Sequence, residues 1–185
     1  MNRAPDKHEA FAESVLKLIV RGGIQAVSVR TVASDAGWSV GALQKTFPNK
    51  EALLRASLQL LVARVDTRME TIPFTGDAAD YLVRLITETL PLDQVRRDEA
   101  LAWNAFTAEA THTQWIADML TSQDERISEQ LVQALSALGV PQPAITAASI
   151  LAVSDGFATR LLYNPDRAEE LRAALEPIIS RLLVM

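Results

Sequence analysis

Apolar residues recur along most of this chain at the three-and-four spacing of a helix with one covered face. Phe11, Val15, Leu18 and Ile19 make the first stripe, which stops at Gly22-Gly23. Val29, Val32, Ala33 and Ala36 repeat the pattern over a shorter stretch, with Ser28 placed as its N-cap and Gly37 as its stop. Ser39 caps a third short segment, Val40 to Phe47, which Pro48-Asn49 breaks. Asn49 can cap a long fourth helix, 49–72, whose face is Leu54, Leu58, Leu61, Val65 and Met69. After Pro73 and Gly76 the pattern predicts helices near 77–90 and 94–111, separated by Pro91. The segment 113–138 carries Ile116, Leu120, Ile127, Leu131, Leu135 and Leu138 in register and ends at Gly139, Pro141 and Pro143. The segment 144–163 is apolar on nearly all sides, and Asn164-Pro165 separates it from a last helix, 166–184. That helix has Leu171, Leu175, Ile178, Ile179 and Leu182 on one stripe, with Pro177 placed to kink it. No strand, internal repeat or low-complexity tract is visible. The expected fold is all-α, about nine helices.

A helix that is apolar all round must be covered on all sides. One such helix can be covered within the chain as plain core, but two adjacent segments near its end, 144–163 and 166–184, more readily predict a subunit interface. They would pair across a two-fold axis as a four-helix bundle, with Ile150 on the contact face and Gly156 and the alanines allowing close approach. The 185 residues include no cysteine, which excludes a disulfide scaffold, a thiolate metal site and a cysteine nucleophile. The uninterrupted apolar runs are short against the roughly 20 residues of a membrane span, and Met1 to Glu9 is polar. The expectation is a soluble, cytoplasmic protein without membrane contact.

Charge divides the chain. The net charge is −5, yet residues 1–64 hold nine Lys and Arg against five Asp and Glu. Residues 65–185 hold nine Arg and no Lys against eighteen acids. A small basic module on an acidic body suits a polyanion partner for the first and another task for the second.

The segment 28–47, SVRTVASDAGWSVGALQKTF, has the layout of a helix-turn-helix. Ala33 and Gly37 let two short helices approach, and Val32, Trp38, Leu43 and Phe47 form the apolar set expected to hold their angle. In such a motif the second helix lies in the DNA major groove. Gly23, Ser28-Val29, Val32-Ala33, Ala36-Gly37, Ser39, Gly41, Leu43, Phe47 and Lys50-Glu51 follow without gaps. On these residues, 8–64 resembles the DNA-binding domain of TetR-type transcriptional regulators, and 90–103, LPLDQVRRDEALAW, resembles the C-terminal domain of the choline/betaine-responsive members. The resemblance implies a helix-turn-helix domain over 1–50 and a ligand-binding and dimerisation domain over 51–185. It also implies a homodimer on a double-stranded DNA operator, acting as a repressor that a small-molecule effector releases.

On this reading Ser28, Arg30 and Thr31 grip the backbone at the start of the second helix. Ser39, Val40, Ala42, Gln44, Lys45 and Thr46 face the groove. Val40 and Ala42 offer only methyl contacts, for example to thymine. The family usually has aromatics at the positions of Gln44 and Thr46; Gln44 can donate to phosphate or read adenine, and Lys45 can take guanine or phosphate. Lys50 opens the fourth helix, where backbone amides already favour an anion. In the acidic body Trp103, Phe106, Thr107, Trp115, Met119 and Phe157 are the candidate lining of an effector pocket, with Asn104, Glu109 and Asp155 nearby in sequence. Aromatics with carboxylates suit a cation. An enzyme is the rival class, but His8 and His112 sit in no metal or catalytic cluster and the seven glycines form no phosphate loop. No cofactor or metal is expected. A helical interaction module without DNA binding is the second alternative, and the lysines of the first fifty residues count against it.

Overall fold

A computed structural model describes residues 6–184; the first five residues of the polar start lie outside the described residues. Among the described residues the chain forms nine α-helices, two short 3-10 turns and no strand. The helices are α1 (Lys7–Gly22), α2 (Val29–Asp35), α3 (Val40–Thr46), α4 (Lys50–Glu70), α5 (Ala78–Thr89), α6 (Gln94–Ala110), α7 (Gln114–Ala137), α8 (Pro143–Tyr163) and α9 (Ala168–Leu182). Their boundaries follow local chemistry. Ser28 accepts from the Thr31 amide while Thr31 accepts from the Ser28 amide, a reciprocal cap on α2. Ser39 and Asn49 accept from the Ala42 and Ala52 amides at the starts of α3 and α4. Gly37, at φ 71°, makes the left-handed turn between α2 and α3 that a side chain would resist. Helix α9 continues on both sides of Pro177.

Two compact units emerge. The first runs through Asp66 and also takes Leu101–Ile116; the second comprises Thr67–Ala100 and the chain from Ala117 onward. Helix α4 is continuous through Glu70, so the division falls inside it.

In the first unit α1 packs against α2 and α3. Phe11, Val15, Val32, Leu43 and Phe47 are at most 4% exposed and form its centre. In the second unit α5, α8 and α9 pack together around Leu82, Ile86, Leu90, Leu135, Ile150, Leu161, Leu175 and Ile179. Arg97 on α6 donates to the carbonyls of Leu161 and Leu162, at 3.3 and 2.8 Å, and so satisfies the C-terminal end of α8.

Two expectations about α8 change. By length and composition it is apolar enough to cross a membrane, which the short runs concealed because Thr, Ser and Gly interrupt them without lowering the mean hydropathy much. Ile150, expected on a subunit face, is 2% exposed within the unit's own core.

Candidate nucleic-acid interface and effector region

Helix α3 presents the residues expected to meet bases. Val40, Gln44 and Lys45 are exposed and Ala42 is half-buried, while Leu43 faces inward at 2% exposure. Thr46 donates its hydroxyl to the Ala42 carbonyl at 3.0 Å, so its proton is used within the helix. At the start of α2 the hydroxyls of Ser28 and Thr31 are engaged in the cap, and Thr31 also donates to the Ala26 carbonyl at 2.9 Å. Their geometry holds the turn, leaving exposed Arg30 as the free donor there. Lys50 is exposed at the first position of α4. Gly41 lies inside α3, where a Cβ would meet no atom of this chain within 4 Å.

Ion pairing sorts the cations of this unit. Lys17 and Arg64 both reach Glu13, Arg21 pairs with Asp35 at 2.9 Å and Arg55 with Glu51 at 2.8 Å. Arg30, Lys45 and Lys50 have no carboxylate partner among the described residues. Lys7, which sequence reading did not single out, has none either; its Nζ lies 4.7 Å from the centre of the Trp38 ring. Trp38 itself departs from expectation. It was expected in the core, yet it is 40% exposed, with its ring centre 6.4 Å from that of Phe11 and the ammonium over its face. The Lys17 and Arg55 pairs have the i, i+4 spacing that a sequence shows, whereas the Arg21 and Arg64 pairs join different helices and leave no such pattern.

Matches to known proteins agree with this arrangement. Residues 14–57 match the family described as bacterial regulatory proteins, tetR family. Residues 78–184, more than half the chain, match the BetI-type transcriptional repressor C-terminal domain. The chain belongs to the TetR family. It is a DNA-binding transcriptional regulator with a BetI-like C-terminal domain, and not an enzyme. It is 26% identical over 174 residues to the HTH-type transcriptional regulator PksA of Bacillus subtilis, covering 90% of this chain and 83% of that protein. A crystal structure of a transcriptional regulator from Rhodococcus sp. Rha1 superposes with a TM-score of 0.89 at 30% identity, covering 96% of both chains. A regulator from Saccharomonospora viridis, solved in complex with choline, superposes at 0.76 with 25% identity, covering 94% of this chain and 95% of that one.

Within this TetR-family chain the candidate effector residues fall into two groups. Trp103, Phe106, Thr107 and Trp115 belong to the first unit, and Met119 and Phe157 to the second. Phe106 is fully buried. Thr107 is exposed and donates to the Trp103 carbonyl of its own helix at 3.1 Å. The Trp115 ring is covered by the protein's own cation: the Arg55 guanidinium sits 4.4 Å from its centre and is held by Glu51 as well. In the second unit Met119 and Phe157 are half-buried, on α7 and α8. The same two helices carry Asp124 and Asp155, neither with a cationic partner among the described residues. Both residues reach the surface, yet enough of each carboxyl is shielded that partial burial raises its pKa; the Asp124 charge adds to the rise at Asp155.

Proposed function

We propose that this TetR-family regulator is a repressor that binds a palindromic operator as a homodimer and is released by a small organic cation. The observation that carries the DNA half is the sorting of charge. The cations left without carboxylates include one at the start of α2, one on α3 and one at the start of α4, where a helix-turn-helix meets a duplex. Arg30 and Lys50 are assigned to phosphate, and Lys45 to a base edge. Val40, Ala42 and Gln44 contribute shape and hydrogen bonding along the groove, and Ser28, Thr31, Ser39 and Thr46 hold the helix starts and turns that position them. Such a regulator works where the chromosome is, in the cytoplasm.

Support for the dimer comes from α8. Ile145, Ala148, Ala152, Thr159 and Tyr163 are exposed, and with Gly156 they form one continuous, mostly apolar stripe of three-and-four spacing opposite the buried stripe. A Cβ on Gly156 would meet nothing in this chain, so its place inside a helix has no internal reason. A second copy meeting this stripe would give it one. Support for a cationic effector comes from two carboxylates without a cationic partner among the described residues, on the helices of Met119 and Phe157, and from a choline complex of a similar regulator. Phe106 and Trp115 are assigned to packing and to the Arg55 contact.

The test is selection of retained DNA fragments from a random pool, followed by titration at several salt concentrations. A palindrome with half-sites about 34–36 Å apart, or a multiple, is expected. Lys50→Ala should weaken all sequences alike and lower the salt slope by about 0.9 per bound chain. Lys45→Ala should change preference at one or two positions of each half-site. A changed base preference in Lys50→Ala, or none in Lys45→Ala, exchanges the two assignments.

A further inference from the structure

We infer that Lys7 and Trp38 act as one phosphate-binding unit beside the reading helix: the indole holds the ammonium in place, and the ammonium meets the DNA backbone. The inference rests on the DNA-binding reading and adds two residues to it. Helix α1 sends consecutive side chains to both ends of α3. Lys7 lies over Trp38, the residue before the α3 cap, and His8 stacks on Phe47, the residue after α3, with ring centres 4.5 Å apart. Trp38 also meets Phe11, which is fully buried and anchors the ring to the core. The rest of the ring stays at the surface and receives the cation.

At 40% exposure Trp38 leaves one part of its ring open to a polar partner. The Lys7 ammonium occupies that position, attracted by the face of the ring. Among the described cations of the first 64 residues, Lys17, Arg21, Arg55 and Arg64 are tied to carboxylates. Lys7 shares with Arg30, Lys45 and Lys50 the lack of any carboxylate partner among the described residues. A lysine neutralised by Glu or Asp must give up that partner to meet phosphate; one held on an uncharged ring keeps its full charge and loses little conformational freedom on binding. The ring thus pre-orders a long flexible side chain without cancelling it.

The measurement is operator affinity against salt for the wild type, Lys7→Gln, Trp38→Leu and the double variant, with Trp38→Phe as the ring-keeping control. Lys7→Gln should lower the salt slope by about 0.9 per bound chain. The ratio of variant to wild-type dissociation constant should accordingly narrow about 3.5-fold per bound chain between 50 and 200 mM salt. In the Trp38→Leu background Lys7→Gln should have about threefold less effect, and in Trp38→Phe its effect should largely return. An unchanged slope in Lys7→Gln overturns the phosphate role, and an effect equal in all three backgrounds overturns the coupling to the ring. Lys7 is exposed, so Lys7→Gln leaves the fold intact and remains decisive if Trp38→Leu unfolds. Failure of the wild type to retain any DNA would overturn the DNA-binding reading itself. Binding with normal salt dependence in Lys7→Gln overturns this inference alone.

Discussion

A single residue, Gly41, separates what folding asks of the reading helix from what DNA asks of it. Helix α3 has seven residues, and glycine in its interior lowers helix stability by about 0.5–1 kcal/mol relative to alanine. The backbone there needs no positive φ, and a Cβ would touch nothing in the chain. Gly41→Ala should therefore raise the unfolding midpoint by about 2 °C. If base edges or phosphates approach the helix there, the added methyl should also weaken operator binding by about tenfold. Calorimetry and a binding titration on one variant give the two signs; a raised midpoint with unchanged affinity would place Gly41 outside the contact. Glycine at this position was legible in the sequence, and so were the caps Ser28, Ser39 and Asn49, because both are local features. Trp38 was not: an indole in a helix-turn-helix reads as core until the position of Lys7 is known.

At the scale of elements, α7 and α8 carry two partly shielded carboxylates, Asp124 and Asp155, without a cationic partner among the described residues. The ordinary aspartate value is 3.8, and burial raises Asp124 and Asp155 above it, with the Asp124 charge raising Asp155 further. The folded state therefore holds these protons more tightly than the unfolded chain does. Their favourable contribution is present below the unfolded pKa and is lost as pH rises through the folded one. Asp155→Asn removes that loss. It should raise the unfolding midpoint at pH 7 and remove the unfavourable contribution of this one group, which grows as pH rises above 3.8. Unfolding curves across that range, run on both proteins, check it; a variant less stable at pH 7 would mean the carboxylate has a partner in solution. Asp93 has the opposite sign: the Arg96 amide and side chain hold its pKa down, so its contribution is lost as pH falls. A second electrostatic cluster ties α4, α5 and α6 within the second unit. Arg68 donates to both oxygens of Glu99, at 3.0 and 2.5 Å, and lies 3.3 Å from Glu88, which also meets Arg96. Glu99 is only 9% exposed, so pairing is what makes its burial tolerable. Helix limits were readable from stripes and caps, whereas the two pairs of Arg68 join residues 20 and 31 positions apart and leave no sequence pattern.

At the scale of the molecule, the pattern of apolar positions predicted α8 without saying which of its faces the chain covers itself. Every side of the segment is apolar, so Ile150 and Ile145 read alike; folding buries the first to 2% and leaves the second 61% exposed. The packing of 101–116 with the first unit was equally out of reach, since it follows from contacts such as Arg55 on Trp115 rather than from composition. Helices α4, α6 and α7 each contribute residues to both units. A ligand releases DNA only by favouring a state that binds DNA less well, and operator must then weaken ligand by the same factor. Both effects require the proposed two-fold partner, because one reading helix alone has no half-site spacing to lose. Ala152→Glu tests that requirement. The position is exposed on α8 and glutamate is a good helix former, so the variant should keep its helix content. Across a two-fold axis it sets like charges against each other, costing about 3 kcal/mol and weakening self-association roughly a hundredfold. Sedimentation should show monomers at micromolar concentration where wild type is dimeric, with operator affinity falling alongside. Monomers that hold the palindrome as tightly as wild type would detach DNA binding from the α8 stripe and return that apolar face to some other partner.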